Sequence, residues 1–391
     1  MPTSPAVLHD WLLVTEGAGG HHDFLLDALR RDVPQRINIG DVSLVVFYSR
    51  QDALQILSDD DNFSADVVAR EYSAVLGQQP LICRDLTWRR VVRAALAAAV
   101  DAKSSDQDLR TRIRALVDEV LDNVAEEVTS DLAMAVAAQV SARVFAMLLG
   151  LPSDIVTSIG AEAAELARFG RSPLAGLRAA RKLRVVLSTA VDASRQGMPG
   201  GLLRELVDHS ANLHISDAAL IDSLLFLTVA GTETTTAAIS TLLFALIGHC
   251  RPPATVADRA AMSRAAVAET LRWEAPVQLT CRRVTSDCSV QGTTLSADSL
   301  LLIHLGAASL GHESHPDAAA FSAQRAQHTA TLAFGVGPHR CPGARLARIE
   351  MEITASEFLR RFPQAQLADP AATGVSGAMV RAVSPLLVHV R

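Results

Sequence analysis

The sequence predicts a mainly helical fold with small, dispersed β-sheet regions. Three observations carry that expectation. From Leu109 to Leu149, apolar residues recur at three- and four-residue spacing (Ile113, Val117, Val120, Leu121 and Val124, then Val136, Val140, Val144 and Met147), the period of one buried helix face. A second, longer apolar stretch runs from Leu220 to Gly248. The β-prone runs are short and bounded by turn residues.

In chain order, Arg36 to Ser49 reads as a hairpin, because RINIG and SLVVFYS meet at Gly40-Asp41. A helix from about Gln51 to Leu57 follows. The periodic block 109–149 predicts two long amphipathic helices, stopped by Leu149-Gly150-Leu151-Pro152. Ser216-Asp217 is a helix start, and the apolar run behind it predicts one helix to about Cys250, roughly 50 Å long at 1.5 Å per residue. Further strand-like pieces are Ser289-Val290 with Thr293-Thr294, Ser299 to His304, and Pro385 to Val390.

Composition bounds the function. The chain has 391 residues, 49% hydrophobic and 20% charged, which excludes disordered, collagen-like and coiled-coil classes. Length alone suggests two or three domains at about 150 residues each. A net charge of −6 argues against a nucleic-acid partner, because phosphate neutralisation needs clustered positive charge. Lys103 and Lys182 are the only lysines; the bias to Arg and Ala reads as a GC-rich genome. Five cysteines, none in a CxxC pair, fit a reducing cytoplasm. Asp10, Glu16, Asp23 and Asp27 interrupt the first thirty residues, so neither a secretory signal nor an anchor is expected there. Glu233 and four threonines, Thr232 and Thr234 to Thr236, lie near the middle of the apolar run. In hydrocarbon that Glu would cost several kcal/mol, so the run predicts a buried helix and no membrane partner.

The strongest local signal is Phe334-Gly335-Val336-Gly337-Pro338-His339-Arg340-Cys341-Pro342-Gly343, which leads into a helical pattern at Leu346, Ile349 and Ile353. A cysteine just before a helix N-terminus is favoured as thiolate by the dipole and the free N–H groups, and a thiolate is a metal ligand or a nucleophile. Nucleophilic catalysis would need His339 as base and lacks the papain or caspase context. A zinc site would want a second ligand at short spacing; His312 and His315 fall one residue short of HExxH, and Cys281 and Cys288 are not at finger spacing. A haem iron held by one thiolate is the best match.

The stretch resembles the haem-binding loop of the cytochrome P-450 family, FGxGxHxCxG, at every fixed position. The resemblance implies that Cys341 is the axial ligand of haem b, that His339 meets a haem propionate, and that Phe334, Gly335 and Gly343 shape the cofactor loop. Ala230-Gly231-Thr232-Glu233-Thr234 resembles the family's oxygen-binding groove. Gly costs about 1 kcal/mol in a helix interior, and Thr bonds back to the i−4 carbonyl, so such a run needs an offsetting reason. By the resemblance Ala230 and Gly231 make room over the haem, and Glu233 and Thr234 deliver protons for dioxygen activation. Glu269-Thr270-Leu271-Arg272 resembles the ExxR motif, which is structural in the family and locks onto the meander, here Phe321 to Arg325; as a bare i, i+3 pair it would read as a surface ion pair.

Arg282 matches the family's propionate arginine, as a buried carboxylate needs a cationic partner. The early HxxxR pair keeps Arg89 but carries Asp85 where the family has His. The resemblance covers essentially the whole chain and implies a single haem-thiolate monooxygenase domain, 1–391, with a long central helix crossing over the haem.

It further implies an enzyme that uses dioxygen and external electrons, ultimately from NAD(P)H through ferredoxin reductase and ferredoxin, to hydroxylate, epoxidise or oxidatively couple a small organic molecule. Arg89, Arg90, Arg93, Arg340, Arg345 and Arg348 would form a dock for an acidic ferredoxin. Substrate would meet residues 67–83, 164–177, 226–230, 277–280 and the turn near Ala382. These are poor in charge, so a mostly apolar substrate, such as a natural-product intermediate, is expected. A cytoplasmic monomer follows from the same resemblance. The rival readings are a peroxide-driven peroxygenase, which would not need the Glu233-Thr234 relay, and a non-catalytic haem gas sensor, which would need a signalling module.

Overall fold

In a computed structural model of the chain the described residues are 25, 28–29, 33–39, 42–67, 86–101, 105–151, 159, 162–163, 165, 173–197, 201–251, 253, 255–310, 317–325, 331–377 and 379–390. Asp85, His312, His315, Lys103 and most of 67–83 and 164–172 lie outside them. In chain order the elements are β1 (Gln35–Ile39), β2 (Val42–Phe47), α1 (Arg50–Ser58), β3 (Phe63–Ser64), α2 (Leu86–Asp101), α3 (Ser105–Ala125), β4 (Thr129–Asp131), a π-helix (Ala133–Ala138) and α4 (Gln139–Leu149). There follow α5 (Pro173–Arg195), α6 (Leu202–Asn212), α7 (Asp217–His249), α8 (Val256–Trp273), β5 (Leu279–Val284), β6 (Cys288–Val290), β7 (Thr293–Leu295), β8 (Leu300–His304), α9 (Leu305–Leu310), α10 (Ala344–Arg361), β9 (Gln366–Leu367) and β10 (Leu387–His389). The mainly helical expectation with small sheets is met.

The contacts divide the chain into two compact units, one of Met1–Val68, Arg264–Cys341 and Val375–Ala382, the other of Ala69–Ser263, Pro342–Gly374 and Val383–Arg391. In the first, a five-stranded sheet has the order β1-β2-β8-β5-β3, with β2 parallel to β8 and the other pairs antiparallel. The predicted hairpin is β1-β2, paired Gln35↔Val46 to Ile39↔Val42. Val45 and Phe47 pack on Ala53, Ile56 and Leu57 of α1, whereas Leu44, Val46 and Tyr48 pack with Leu25, Leu279 and Leu302. Both faces of β2 are covered, which is why its sequence is continuously apolar from Leu44 to Phe47. Ser49 caps α1, accepting from the Asp52 N–H at 3.1 Å. The strand β5, LTCRRV, was not legible as a strand because two arginines break its apolar pattern.

In the second unit α7 is the spine. Ser216 caps it, as the sequence predicts, and nineteen of its residues are buried, so almost every face is covered and no amphipathic stripe survives. It is the one helix among the described residues long and apolar enough to cross a bilayer, and 61% of its apolar window is buried within the protein. Asp222 near its start, 3% exposed, pairs with Arg184 of α5 at 2.5 Å. Trp88 of α2, fully buried, donates its indole N–H to Ser223 Oγ at 3.0 Å.

The block 109–149 departs from two plain helices: between α3 and α4 the chain forms β4 and the π-turn. Asp131 explains the break. Its Oδ1 accepts from the Ala133 N–H at 3.1 Å and the Leu386 N–H at 2.9 Å, tying the start of the helical segment to the chain leading into β10, which pairs with β4 and β9. α4 stops at Gly150, in the left-handed region at φ 79°.

Candidate functional site

The cysteine loop lies in the first unit. It is closed by the Cys341 N–H donating to Phe334 O at 2.8 Å and the Gly335 N–H donating to Leu332 O at 2.8 Å, with Arg340 N–H on Gly337 O. Gly335 and Gly337 take φ of 62° and 70°, which L-residues adopt at a cost of about 1–2 kcal/mol. At Gly337 space decides as well: a Cβ would stand 2.2 Å from the Leu57 carbonyl oxygen at the end of α1. His339 is engaged from the same side, its Nε2 3.0 Å from Asp60 Oδ2, so in this structure its partner is a carboxylate of the protein. Cys341 is exposed and outside any disulfide. The other cysteines described are poorer ligands: Cys281 is buried, and burial pushes the Cys250 thiol up to about 11 and the Cys288 thiol upward too.

The loop's footing is the Glu269–Arg272 pair, on α8. Both side chains have no exposure, as the expected structural lock requires and a bare surface pair would not. Arg272 Nε and Nη2 donate to the carboxylate at 2.8 and 2.9 Å, and Nη1 to the Leu310 and Ala318 carbonyls at 3.0 and 2.9 Å. Arg325, in the expected meander, joins at 3.1 Å, and the Ser322 N–H at 3.0 Å. Burial pushes the Glu269 carboxyl up, but these donors and cations outweigh it and hold its pKa below the usual value. Thr331 Oγ1 then donates to Leu271 O at 2.9 Å and Ser309 Oγ accepts from Leu332 N–H at 3.0 Å, carrying the anchorage to Phe334. Arg282, on β5 and only 3% exposed, donates to Cys281 O at 2.7 Å.

The second constellation lies in the other unit. Midway along this largely buried helix, Phe226, Gly231, Glu233 and Thr234 are half-buried and Ala230 is exposed, so the i, i+4, i+8 stripe Phe226-Ala230-Thr234 is accessible. Gly231 has a local reason beyond the expected room for a ligand: a Cβ would come within 3.0 Å of the Phe145 ring of α4. Ser141 of α4 donates to Thr232 O at 2.8 Å. Thr228, Thr232 and Thr234 each bond back to the i−4 carbonyl, Thr234 to Ala230 O at 2.7 Å. The helix runs unbroken through them. Arg89, on α2, is 8% exposed, and Gly343 is the residue before α10. The candidate residues thus form two groups: Cys341, His339, Arg282, Phe334 and Gly335 in the first unit, and Glu233, Thr234, Ala230, Gly231, Arg89 and Gly343 in the second.

The family model described as Cytochrome P450 matches residues 250–370, a stretch that holds α8 with ExxR, the cysteine loop, α10 and β9. Among solved structures, CYP164A2 of Mycobacterium smegmatis superposes at a TM-score of 0.80 over 99% of this chain and 100% of its own, at 25% identity. Residues 250–370 thus match the cytochrome P450 family, and the chain has the cytochrome P450 fold. A post-tailoring hydroxylase involved in himastatin biosynthesis, HmtN, matches at a TM-score of 0.77 and 26% identity over 95% of this chain and 97% of HmtN. In sequence, the β-dihydromenaquinone-9 ω-hydroxylase of Mycobacterium tuberculosis is 33% identical over 196 residues, 49% of this chain and 40% of that enzyme. The chain spans about half the length of the curated relatives it matches, 38 to 59%.

The match over residues 250–370 implies a haem held by a cysteine thiolate, and the residues present fit one: an accessible thiol on a loop braced by Gly335 and Gly337, with a buried guanidinium, Arg282, in the same unit. Sequence reasoning missed Asp60 as the partner of His339. A carboxylate 279 positions away leaves no short-range signal.

Proposed function

We propose that this protein is a haem-thiolate monooxygenase, a single functional domain over 1–391, that uses dioxygen and externally supplied electrons to oxidise a mostly apolar small molecule. The observation that carries the reading is the closed, glycine-braced loop presenting Cys341 as an exposed thiol. The haem, when bound, supplies oxygen activation. For each oxygen atom inserted, two electrons and two protons enter and the second oxygen leaves as water, so a proton path is required.

Glu233 and Thr234 provide that path. Because the Thr234 hydroxyl donates its own proton to Ala230 O at 2.7 Å, its lone pairs face outward and are able to accept a hydrogen bond from a reacting O–H group. Glu233, half-buried one residue before it, carries the exchangeable proton. Arg282, His339 and Arg89 would hold the propionates; for His339 this would mean exchanging Asp60 for the cofactor. Electrons come from NAD(P)H through ferredoxin reductase and ferredoxin, with Arg90, Arg340 and Arg345, all exposed, among the docking cations. The named roles of the relatives, hydroxylation of a menaquinone and tailoring in himastatin biosynthesis, support an apolar natural-product intermediate as substrate, and five cysteines with no CxxC pair favour a cytoplasmic setting.

The test is turnover of the holoenzyme with ferredoxin, its reductase, NAD(P)H and dioxygen against a panel of apolar natural products. Product formation dependent on Cys341 and on dioxygen is expected; a fully active Cys341→Ala enzyme refutes the assignment, and ferredoxin-driven turnover insensitive to ionic strength refutes the cationic dock.

A further inference from the structure

A second buried ion pair, independent of the ExxR lock, stands in the first unit. Arg381 donates Nε to Glu274 Oε1 at 2.7 Å, with side chains 9% and 1% exposed. The remaining guanidinium nitrogens hold the chain that carries them, Nη1 on Gly377 O at 2.9 Å and Nη2 on Val375 O at 3.4 Å. The turn is closed by paired Ser376 and Ala382, whose N–H groups each donate to the other's carbonyl at 2.9 Å. Gly377 permits it, with φ 109° and a notional Cβ 2.1 Å from Val380 O. Arg381 is therefore the strut inside this turn, and Glu274 is the point to which the strut is fixed.

The turn in turn lies against the segment after α8. The Gln278 N–H donates to Met379 O at 2.9 Å, the Arg381 N–H to Pro276 O at 2.8 Å, and Val277 bridges Val380. Gln278 is seated too: its Nε2 donates to Ala275 O at 2.5 Å and Glu274 Oε1 at 3.3 Å, and a Cβ on Gly306 would meet its Oε1 at 1.9 Å. Charge and hydrogen bonds are buried at the back. Val277, Thr280, Met379, Val380 and Ala382 are the half-buried residues in front. A buried ion pair is an expensive way to gain stability, since removing one partner strands the other. It is an effective way to give two segments one relative position.

We propose that Glu274 and Arg381 are positioning residues for specificity: through them the turn 375–382 and the segment 276–280 present a single rigid apolar surface, Val277 beside Val380, to the substrate. The inference rests on the monooxygenase reading above, which gives these segments to the substrate, and it names residues that touch neither substrate nor haem. A loosened turn must be re-ordered on each binding event, and that cost falls on bulky ligands that reach it.

The experiment compares holoenzyme carrying Arg381→Met, Arg381→Lys or Glu274→Gln with the unaltered protein, using imidazole and 4-phenylimidazole as iron-binding probes that differ only in the aryl group. The expected result is a loss of about tenfold in 4-phenylimidazole affinity relative to imidazole for Arg381→Met, with faster amide exchange at Gln278 and Arg381, an unchanged carbon monoxide spectrum, and partial recovery in Arg381→Lys. An unchanged affinity ratio in variants that keep the red-shifted Soret band overturns the inference alone. Should Arg381→Met fail to fold, the nearly isosteric Glu274→Gln decides by the same ratio. If the unaltered protein lacks that band, the monooxygenase reading fails and takes the specificity role with it.

Discussion

Replacing Glu269 by Gln changes one atom and should cost more stability than any surface substitution. The carboxylate accepts from Arg272 at 2.8 and 2.9 Å, from Arg325 at 3.1 Å and from the Ser322 N–H at 3.0 Å, with no exposure to water. The amide keeps the shape but removes the charge and turns one acceptor into a donor facing guanidinium N–H groups. Arg272, itself without exposure, keeps the carbonyls of Leu310, Ala318 and Ala320 and loses its counter-ion. Breaking a buried pair in this way costs about 3–5 kcal/mol. At about 2.1 cal/mol/K per residue over a chain of this length, that corresponds to a melting temperature lower by about 4–6 °C. The assay is thermal or urea unfolding of Glu269→Gln beside Asp217→Asn, which breaks the exposed Arg195–Asp217 pair and should cost at most about 1 kcal/mol. Because the Glu269 pKa lies below its ordinary value, its contribution is present above the unfolded carboxylate range and is lost as pH falls; the gap between wild type and variant should close on acidification. A loss no larger than that of Asp217→Asn refutes the lock.

Further predictions follow from other buried groups. His304 is fully buried, stacked on Tyr48 at 5.6 Å, and burial, reinforced by the nearby Arg381, lowers its pKa to about 3. The unfolded chain binds that proton from about pH 6.5 downward, so stability should fall between pH 6.5 and 3, by roughly 1.5–2 kcal/mol already at pH 5; a His304→Gln variant with the same acid slope as wild type contradicts this. Glu350 on α10 is buried, with its pKa raised well above the ordinary value by desolvation, so the folded state holds a proton the unfolded state releases. Glu350→Gln should therefore melt higher than wild type at neutral pH, with the gain vanishing toward pH 4.5; equal melting at pH 7 would show that Glu350 is not desolvated as described. At the cysteine loop, Gly335→Ala meets open space and should lose only about 1–2 kcal/mol for its left-handed backbone, whereas Gly337→Ala also collides with Leu57 O and should lose more, together with haem retention. Equal losses would place the clash elsewhere.

Where local pattern and tertiary structure agree, the sequence was readable. The hairpin β1-β2, the Ser216 cap, the length of α7 and the Gly150 stop are set by neighbours within a few residues. β5 and the π-turn were not, because their causes lie far away: β5 is a strand by virtue of its neighbours β8 and β3, and the break before α4 depends on Asp131 reaching Leu386, 255 positions on. The site shows the same division. Cys341, Glu233-Thr234 and ExxR are contiguous motifs, and Arg325 was placed by order alone. Asp60 on His339, Phe145 against Gly231 and Arg381 on Glu274 are pairings across 86 to 279 positions, and no short-range signal encodes them.

The central claim is that Cys341 is a thiolate ligand to haem iron. The most direct measurement is the absorption spectrum of the purified holoenzyme after dithionite reduction and addition of carbon monoxide, with Cys341→His in parallel. A strongly red-shifted Soret band in the wild type, moving to the ordinary haem position in Cys341→His, is the predicted result. An ordinary Soret position in the wild type would contradict the account.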